Sequence, residues 1–164
     1  MSEPGPLSRI SIRAARVSDV VAVLDFWRLA AEGTSITDDV AGVTRLVERD
    51  PDALILAKLS AGAGDSARAG DSAQAGDPAR LVGTVIAGWD GWRSSLYRLA
   101  VHPDHRRQGI SKLLLDAAHE RFRTVGGRRA DAMVLEANGT GQAAWAAAGY
   151  HREDHWRRWV KPLG

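Results

Sequence analysis

HPDHRRQGISKLLLD, residues 102–116, is the stretch on which the reading of this chain turns. Two arginines and a glycine precede apolar residues at helical spacing: Ile110, Leu113, Leu114, Ala117, Ala118 and Phe122. A helix start leaves backbone N–H groups without intrahelical partners and carries partial positive charge, so anions dock there readily. Gly109 has no Cβ to hold a ligand off the backbone, and Arg106, Arg107 and Lys112 add charge around it. RRQGIS, residues 106–111, equally suits an ordinary solvated helix start with a chance glycine, and on its own it leaves both readings open. It is neither a dinucleotide-binding nor a Walker-type loop, which need more glycines at other spacings.

The flanks narrow the choice. LYRLAV, residues 96–101, reads as a strand that Pro103 ends, so an anion at RRQGIS would lie at a strand's C-terminal end, where ligands of α/β proteins gather. Upstream, LVGTVIAGW (81–89) forms the other arm of a hairpin around Asp90-Gly91. SRISIRA (8–14) alternates as a strand, and ALILAKL (53–59) reads as a buried one. Between them Ser18 opens a helix running to about residue 31, with Val20, Leu24, Trp27 and Ala31 on one face, and Gly33 breaks it. A second helix is expected from Thr37, with Asp38 and Asp39 at its positive end, Val40, Val43 and Val47 as its stripe and Pro51 beyond its stop. Residues 63–80 repeat AGDSAR, AGDSAQ, AGDPAR, which cannot build a core. The 61–80 segment is therefore expected to be a disordered insert between two strands. After the helix of 110–124, Gly126-Gly127 closes it, ADAMVLEA (130–137) reads as a strand, 141–148 as a short helix, and 150–160 as a last strand. A hairpin ahead of a strand–helix–strand unit predicts an α+β fold, a mixed sheet with helices on its faces.

Composition sets the bounds. The chain has 164 residues, 45% of them hydrophobic, enough for one domain spanning 1–164 with a sizeable core. No apolar run reaches a membrane span, and MSEPGPLSRIS lacks the apolar centre of a signal peptide. There is no cysteine, which excludes disulfides, thiolate metal sites and a cysteine nucleophile, and suits a cytoplasmic protein. The net charge of +2 is uneven: from Asp90 onward there are thirteen basic and eight acidic residues, so that half is the better host for an anion. WRRW, residues 156–159, puts one tryptophan and one arginine on each face of a strand, which fits a closing strand or subunit contact better than nucleic-acid stacking. His102 and His105 read as surface residues, not as a zinc pair, and no metal is expected.

LAVHPDHRRQGISKLLL resembles the acetyl-CoA-binding motif of the GNAT superfamily of acyl-CoA-dependent N-acyltransferases. In that motif a strand and a V-x-P-like turn lead into R/Q-x-x-G-x-G/A and an apolar helix. Arg106 and Gly109 fill the first two marked positions, and Ser111 stands where Gly or Ala is usual. Downstream, Asn138, Trp145, Gly149 and Tyr150 hold a second spacing of the same family. The resemblance covers about residues 10–160 apart from the insert.

It implies a mostly antiparallel mixed sheet with a central splayed strand pair and helices on both faces. It also implies acetyl-CoA as cosubstrate. The backbone of Leu99, Ala100 and Val101 would bond the pantetheine arm, and the N–H groups of Arg107, Gln108, Gly109, Ile110, Ser111 and Lys112 would hold the pyrophosphate beside Arg106. Asn138 would reach the arm and Trp145 would touch the coenzyme. An amine, on a small molecule or a protein, would attack the thioester directly, with a backbone N–H near Val101 at the developing oxyanion. Homodimers are common in such families, and neither nucleic acid nor membrane is an expected partner.

The proton-transfer residues do not carry over. The family's usual tyrosine position holds Trp145, whose indole N–H has no usable acidity, and a position often glutamate holds Met133. Glu136 and Tyr97 are the substitutes the sequence offers. The helix pair before Pro51, with Glu32, Thr34 and Ser35 in its connection, is expected to shape the acceptor site. A CoA-binding module of the same fold, with weak or no transfer, is the alternative reading.

Overall fold

A computed structural model describes residues 6–60 and 79–163. The chain divides into two compact units, Met1–Met133 and Val134–Gly164. The repeats of the 61–80 insert lie almost wholly outside the described residues.

Among the described residues of the first unit, five strands form one sheet in chain order: β1 (Ile10–Ala14), β2 (Leu54–Leu59), β3 (Arg80–Trp89), β4 (Ser94–Val101) and β5 (Ala130–Ala132). The first three pairings are antiparallel and β4–β5 is parallel. Helices α1 (Val20–Ala30), α2 (Val40–Arg49) and α3 (Ile110–Thr124) cover it. The arrangement is α+β, as the order of patterns predicts.

Strand alternation explains the two layers. Leu54 and Leu56 of β2 face α1 and α2, where Val20, Val23, Leu24, Phe26, Trp27, Val43 and Val47 close one core. The alternate residue Ala57 pairs with Gly83, over which α3 lies. A Cβ on Gly83 would stand 2.9 Å from Leu114 Cδ1 and 3.0 Å from Ile110 Cγ2, so this glycine lets the helix approach the sheet closely. α3 buries Ile110, Leu114, Leu115, Ala118 and Phe122, and Leu113 is only half-buried. The buried stripe is thus turned slightly from the expected one.

The start of α1 is a short 3-10 turn, Val17–Asp19, in place of a helix opened by Ser18. Asp39 caps α2, its Oδ1 accepting from Gly42 N at 2.6 Å, so the helix begins at Val40, later than Thr37. At the hairpin, Asp90 Oδ1 accepts from Trp92 N at 2.8 Å and Arg93 N at 2.6 Å. Those N–H groups hold the Asp90 carboxyl below its usual range, the Arg93 amide most of all. Asp90 is a turn residue, as its place beside Gly91 suggests.

Two strand expectations differ from what is found. β5 spans only Ala130–Ala132, and the exposed Met133 and Leu135 follow it. Its last pair is Leu96↔Ala132, close to a register irregularity of β4 against β3. In the second unit, α4 (Gly139–Ala147) forms as expected, but residues 150–160 carry no strand. Alternation there gives neither face an apolar run, and Trp156 and Trp159 are exposed, so no buried side rewards pairing. No helix among the described residues is long and apolar enough to cross a membrane.

Candidate functional site

β4 changes register against β3. Thr84 pairs with Ala100 and Ile86 with Tyr97, so Arg98 and Leu99 together face the single residue Val85. This is a β-bulge, which bends a strand and re-aims its groups. Arg98 takes φ +52°, a left-handed conformation that costs a non-glycine residue about 1–2 kcal/mol. The bulge is held from both sides. Thr84, fully buried, donates its hydroxyl to the Arg98 carbonyl at 2.9 Å and accepts the Trp27 indole N–H at 2.9 Å.

Beyond the bulge the strand runs open. His102 N–H donates to Val82 O at 2.9 Å. Counting back by alternation, the Ala100 backbone faces β3, while Leu99 and Val101 face the opposite edge. β5 stops at Ala132, so among the described residues no strand pairs with β4 on that edge past Leu96. The Val101 carbonyl accepts from Arg106 Nε at 3.3 Å. Of the three residues expected to bond an extended ligand through their backbone, Leu99 and Val101 are turned to the open edge; Ala100 is turned away and its side chain is buried.

The strand leads through a 3-10 turn, Pro103–His105, into α3. Arg107 at φ +59° and Gly109 at φ +81° turn the backbone so that successive amides precede the helix. The N–H groups of residues 107–112 meet no acceptor among the described residues. That row, at the N-terminus of a 15-residue helix, is fit to bind an anion. The Cα of Gly109 is not open on the side where a Cβ would stand: Leu7 Cδ1 lies 3.4 Å from that point. The glycine is therefore required first for its positive φ. Arg106 and Arg107 are exposed, Gln108 Nε2 donates to Asp104 O at 3.3 Å, and Ser111 is half-buried. Lys112 Nζ stands 2.6 Å from Asp116 Oδ2 in an exposed pair. Ile110 has its side chain buried beneath the sheet, leaving only its backbone for a ligand.

His102 departs from its expected place on the surface. It is buried beside Phe26 and His105, with Nδ1 accepting from Asp104 N at 3.2 Å and Nε2 2.6 Å from Arg80 Nη2. Its main chain still belongs to the β3–β4 ladder, which directs the ring inward. Burial, then the charge of Arg80, pushes its pKa down. Among the described residues no cluster of three or more His, Cys, Asp or Glu could hold a metal ion.

Tyr97, on β4 next to the bulge, is 49% exposed, with its ring against Gly88. In the second unit, Glu136 is exposed with Oε1 3.6 Å from Arg152 Nη2, at a 250 Å³ hollow also lined by Val134, Gln142 and Arg157. Asn138 caps α4, its Oδ1 accepting from Gly141 N at 2.8 Å. Trp145 packs edge-on against Tyr150 at 4.9 Å. Reading the sequence missed the bulge and the side chains that hold it, because nothing in LYRLAV marks Arg98 as different from any polar strand residue.

The comparisons with known proteins agree with this geometry. Residues 73–153 match the acetyltransferase (GNAT) domain model. An acetyltransferase of Pectobacterium atrosepticum is 28% identical over 129 residues, covering 79% of each chain. One from Yersinia enterocolitica is 25% identical over 145 residues, covering 88% of this chain and 90% of its own. Among solved structures, the PaiA N-acetyltransferase of Thermoplasma acidophilum in complex with coenzyme A superposes with a TM-score of 0.66 at 17% identity, covering 88% and 91% of the two chains. Ard1 of Thermoplasma volcanium does so at 0.64 and 18%, covering 86% and 82%. The match over residues 73–153 and the acetyltransferase relatives identify a GNAT acetyltransferase domain in this chain, and the solved structures share its fold.

Proposed function

We propose that this acetyltransferase moves an acetyl group from acetyl-CoA to a primary amine of a small molecule or a protein. The row of N–H groups at residues 107–112, which meet no acceptor among the described residues and lie at the end of a strand with an open edge, carries this reading. The pyrophosphate would meet those amides, with Arg106 and Arg107 adding charge at the rim. Leu99 and Val101 would bond the pantetheine arm along the open edge of β4, as an added strand does. In the second unit the Asn138 oxygen caps α4, which leaves its amide N–H₂ as the group that a ligand would use. Acetyl-CoA supplies the activated acetyl group, and the chain holds it against the amine. The solved relative with coenzyme A bound supports this choice of cosubstrate.

For proton transfer, the exposure of Tyr97 beside the bulge supports it as a candidate. Glu136 faces Arg152. Trp145 and Met133, standing where an acid and a base are often found, support the second reading, a CoA-binding module with little or no transfer.

The test is acetyl-CoA turnover with a panel of amines, followed by thiol release. The chain has no cysteine, so the protein adds no background to a thiol reagent. Steady release with one class of amine is the expected result. Saturable acetyl-CoA binding with no release for any amine would favour the binding module, and no binding at all would refute both.

A further inference from the structure

We propose that Arg98 is a positioning residue that ties the α1–α2 connection to the opened part of β4, so that the acceptor side and the thioester side of the site are set together. This rests on the acetyltransfer reading above, in which that connection borders the acceptor.

Arg98 belongs to both structures at once. Its main chain is the left-handed residue of the bulge. Its side chain leaves the sheet and grips the connection sixty residues earlier in the chain. Nε donates to Asp38 Oδ1 at 3.1 Å and Nη2 pairs with Asp38 Oδ2. Nη1 donates to Gly33 O at 3.0 Å and reaches Glu32 O at 3.5 Å. The Arg98 and Asp38 side chains are only 12% and 18% exposed, so little water competes for these bonds. The guanidinium also lies 5.5 Å from the centre of the Trp27 ring, and Trp27 in turn bonds Thr84, which holds the Arg98 carbonyl.

A planar guanidinium can hold a carboxylate with one edge and a carbonyl with the other; an ammonium cannot span both. The connection is polar and largely exposed, with Thr34, Ser35 and Ile36 facing solvent, so it has little packing of its own. A residue in a strained conformation persists when its surroundings over-determine it, and Asp38, Gly33 and Thr84 do so here. Moving the connection would pull on Arg98, and the bulge aims the backbone of Leu99 and Val101.

The test compares Asp38→Asn, Arg98→Lys, Arg98→Ala, Asp38→Ala and the double variant Arg98→Ala/Asp38→Ala with the parent full-length chain, using the amine found in the panel. Asp38→Asn, nearly isosteric, should raise the acceptor KM and lower kcat each by about tenfold, while acetyl-CoA Kd rises by no more than about threefold, because the amides of residues 107–112 are untouched and only the bonds of Leu99 and Val101 to the arm are loosened. Arg98→Lys should behave like Asp38→Asn. In kcat/KM the double variant should be no worse than Arg98→Ala alone, the signature of one shared interaction. Hydrogen exchange on the same proteins should show amides of residues 33–38 and 99–101 loosening together. A lower melting temperature with unchanged kinetic constants, multiplicative effects of the two substitutions, or loosening of 33–38 alone would overturn the proposal. Should the parent chain acetylate no amine, the functional reading falls, and the exchange result still decides whether the two segments are coupled.

Discussion

Asp19 stands at the turn from β1 into α1 and gathers three partners. Its carboxylate meets Arg13 Nη1 and Nη2 at 2.7 and 2.8 Å, accepts from Arg16 N at 2.8 Å, and lies 3.8 Å from Lys58 Nζ. The Arg13 hydrogen bond leads in lowering its pKa to about 2, overcoming the opposing effect of burial. A depressed folded-state pKa means that the stabilisation is complete above the unfolded-state value near 4 and is lost as pH falls through about 2. It is worth on the order of 2 kcal/mol at neutral pH. Denaturant titrations at pH 7, 4, 3 and 2.5 should show Asp19→Asn less stable than the parent at pH 7, with the gap narrowing below pH 4 to about a third of its neutral-pH size at pH 2.5. A gap that stays constant would mean the carboxylate charge contributes nothing. At this scale the sequence was read well where a residue acts on its own neighbours: Asp90 beside Gly91 is a turn residue, and Asp39 sits at the positive end of α2. It was read poorly where a distant partner decides, as for His102, which Phe26 and Arg80 enclose.

At the scale of elements, β2 and β3 are neighbours whose ends meet, with Leu59 opposite Arg80. The chain that leaves one and enters the other therefore has only a short gap to close. Replacing residues 61–78 with a short Gly/Asn turn should move the melting temperature by no more than a few degrees, since loop-closure entropy varies slowly with length. A large drop in a calorimetric scan would show that the repeats pack on the rest of the chain. Periodicity located α1, α2, α3 and α4 because each carries its signal within a few turns of chain. It overextended β5 and promised a strand at 150–160, because a strand is made by its partner and the composition of one segment does not reveal whether an edge awaits it. The bulge in β4 has the same origin: it is a register between two strands and leaves no mark in either.

Taken as a whole molecule, the half beginning at Asp90 carries the basic excess and contains the helix start proposed to hold a pyrophosphate. The nearby cations are exposed, and Lys112 is paired with Asp116, whereas the backbone amides of 107–112 are fixed dipoles. Raising salt from about 50 to 500 mM shortens the screening length from roughly 14 to 4 Å and should weaken acetyl-CoA binding only several-fold by calorimetry. A loss beyond about a hundredfold would shift the credit from the amides to the arginine side chains. The order of elements, the left-handed glycine ahead of α3 and the row of amides behind it were determined by the sequence itself, since all are set by residues a few positions apart. The open edge of β4, the outward turn of Leu99 and Val101, and the grip of Arg98 on Asp38 were decided only by the tertiary structure. Each depends on segments far apart in the chain meeting in one register, and a backbone hydrogen bond or an ion pair carries no local trace of the partner it will find.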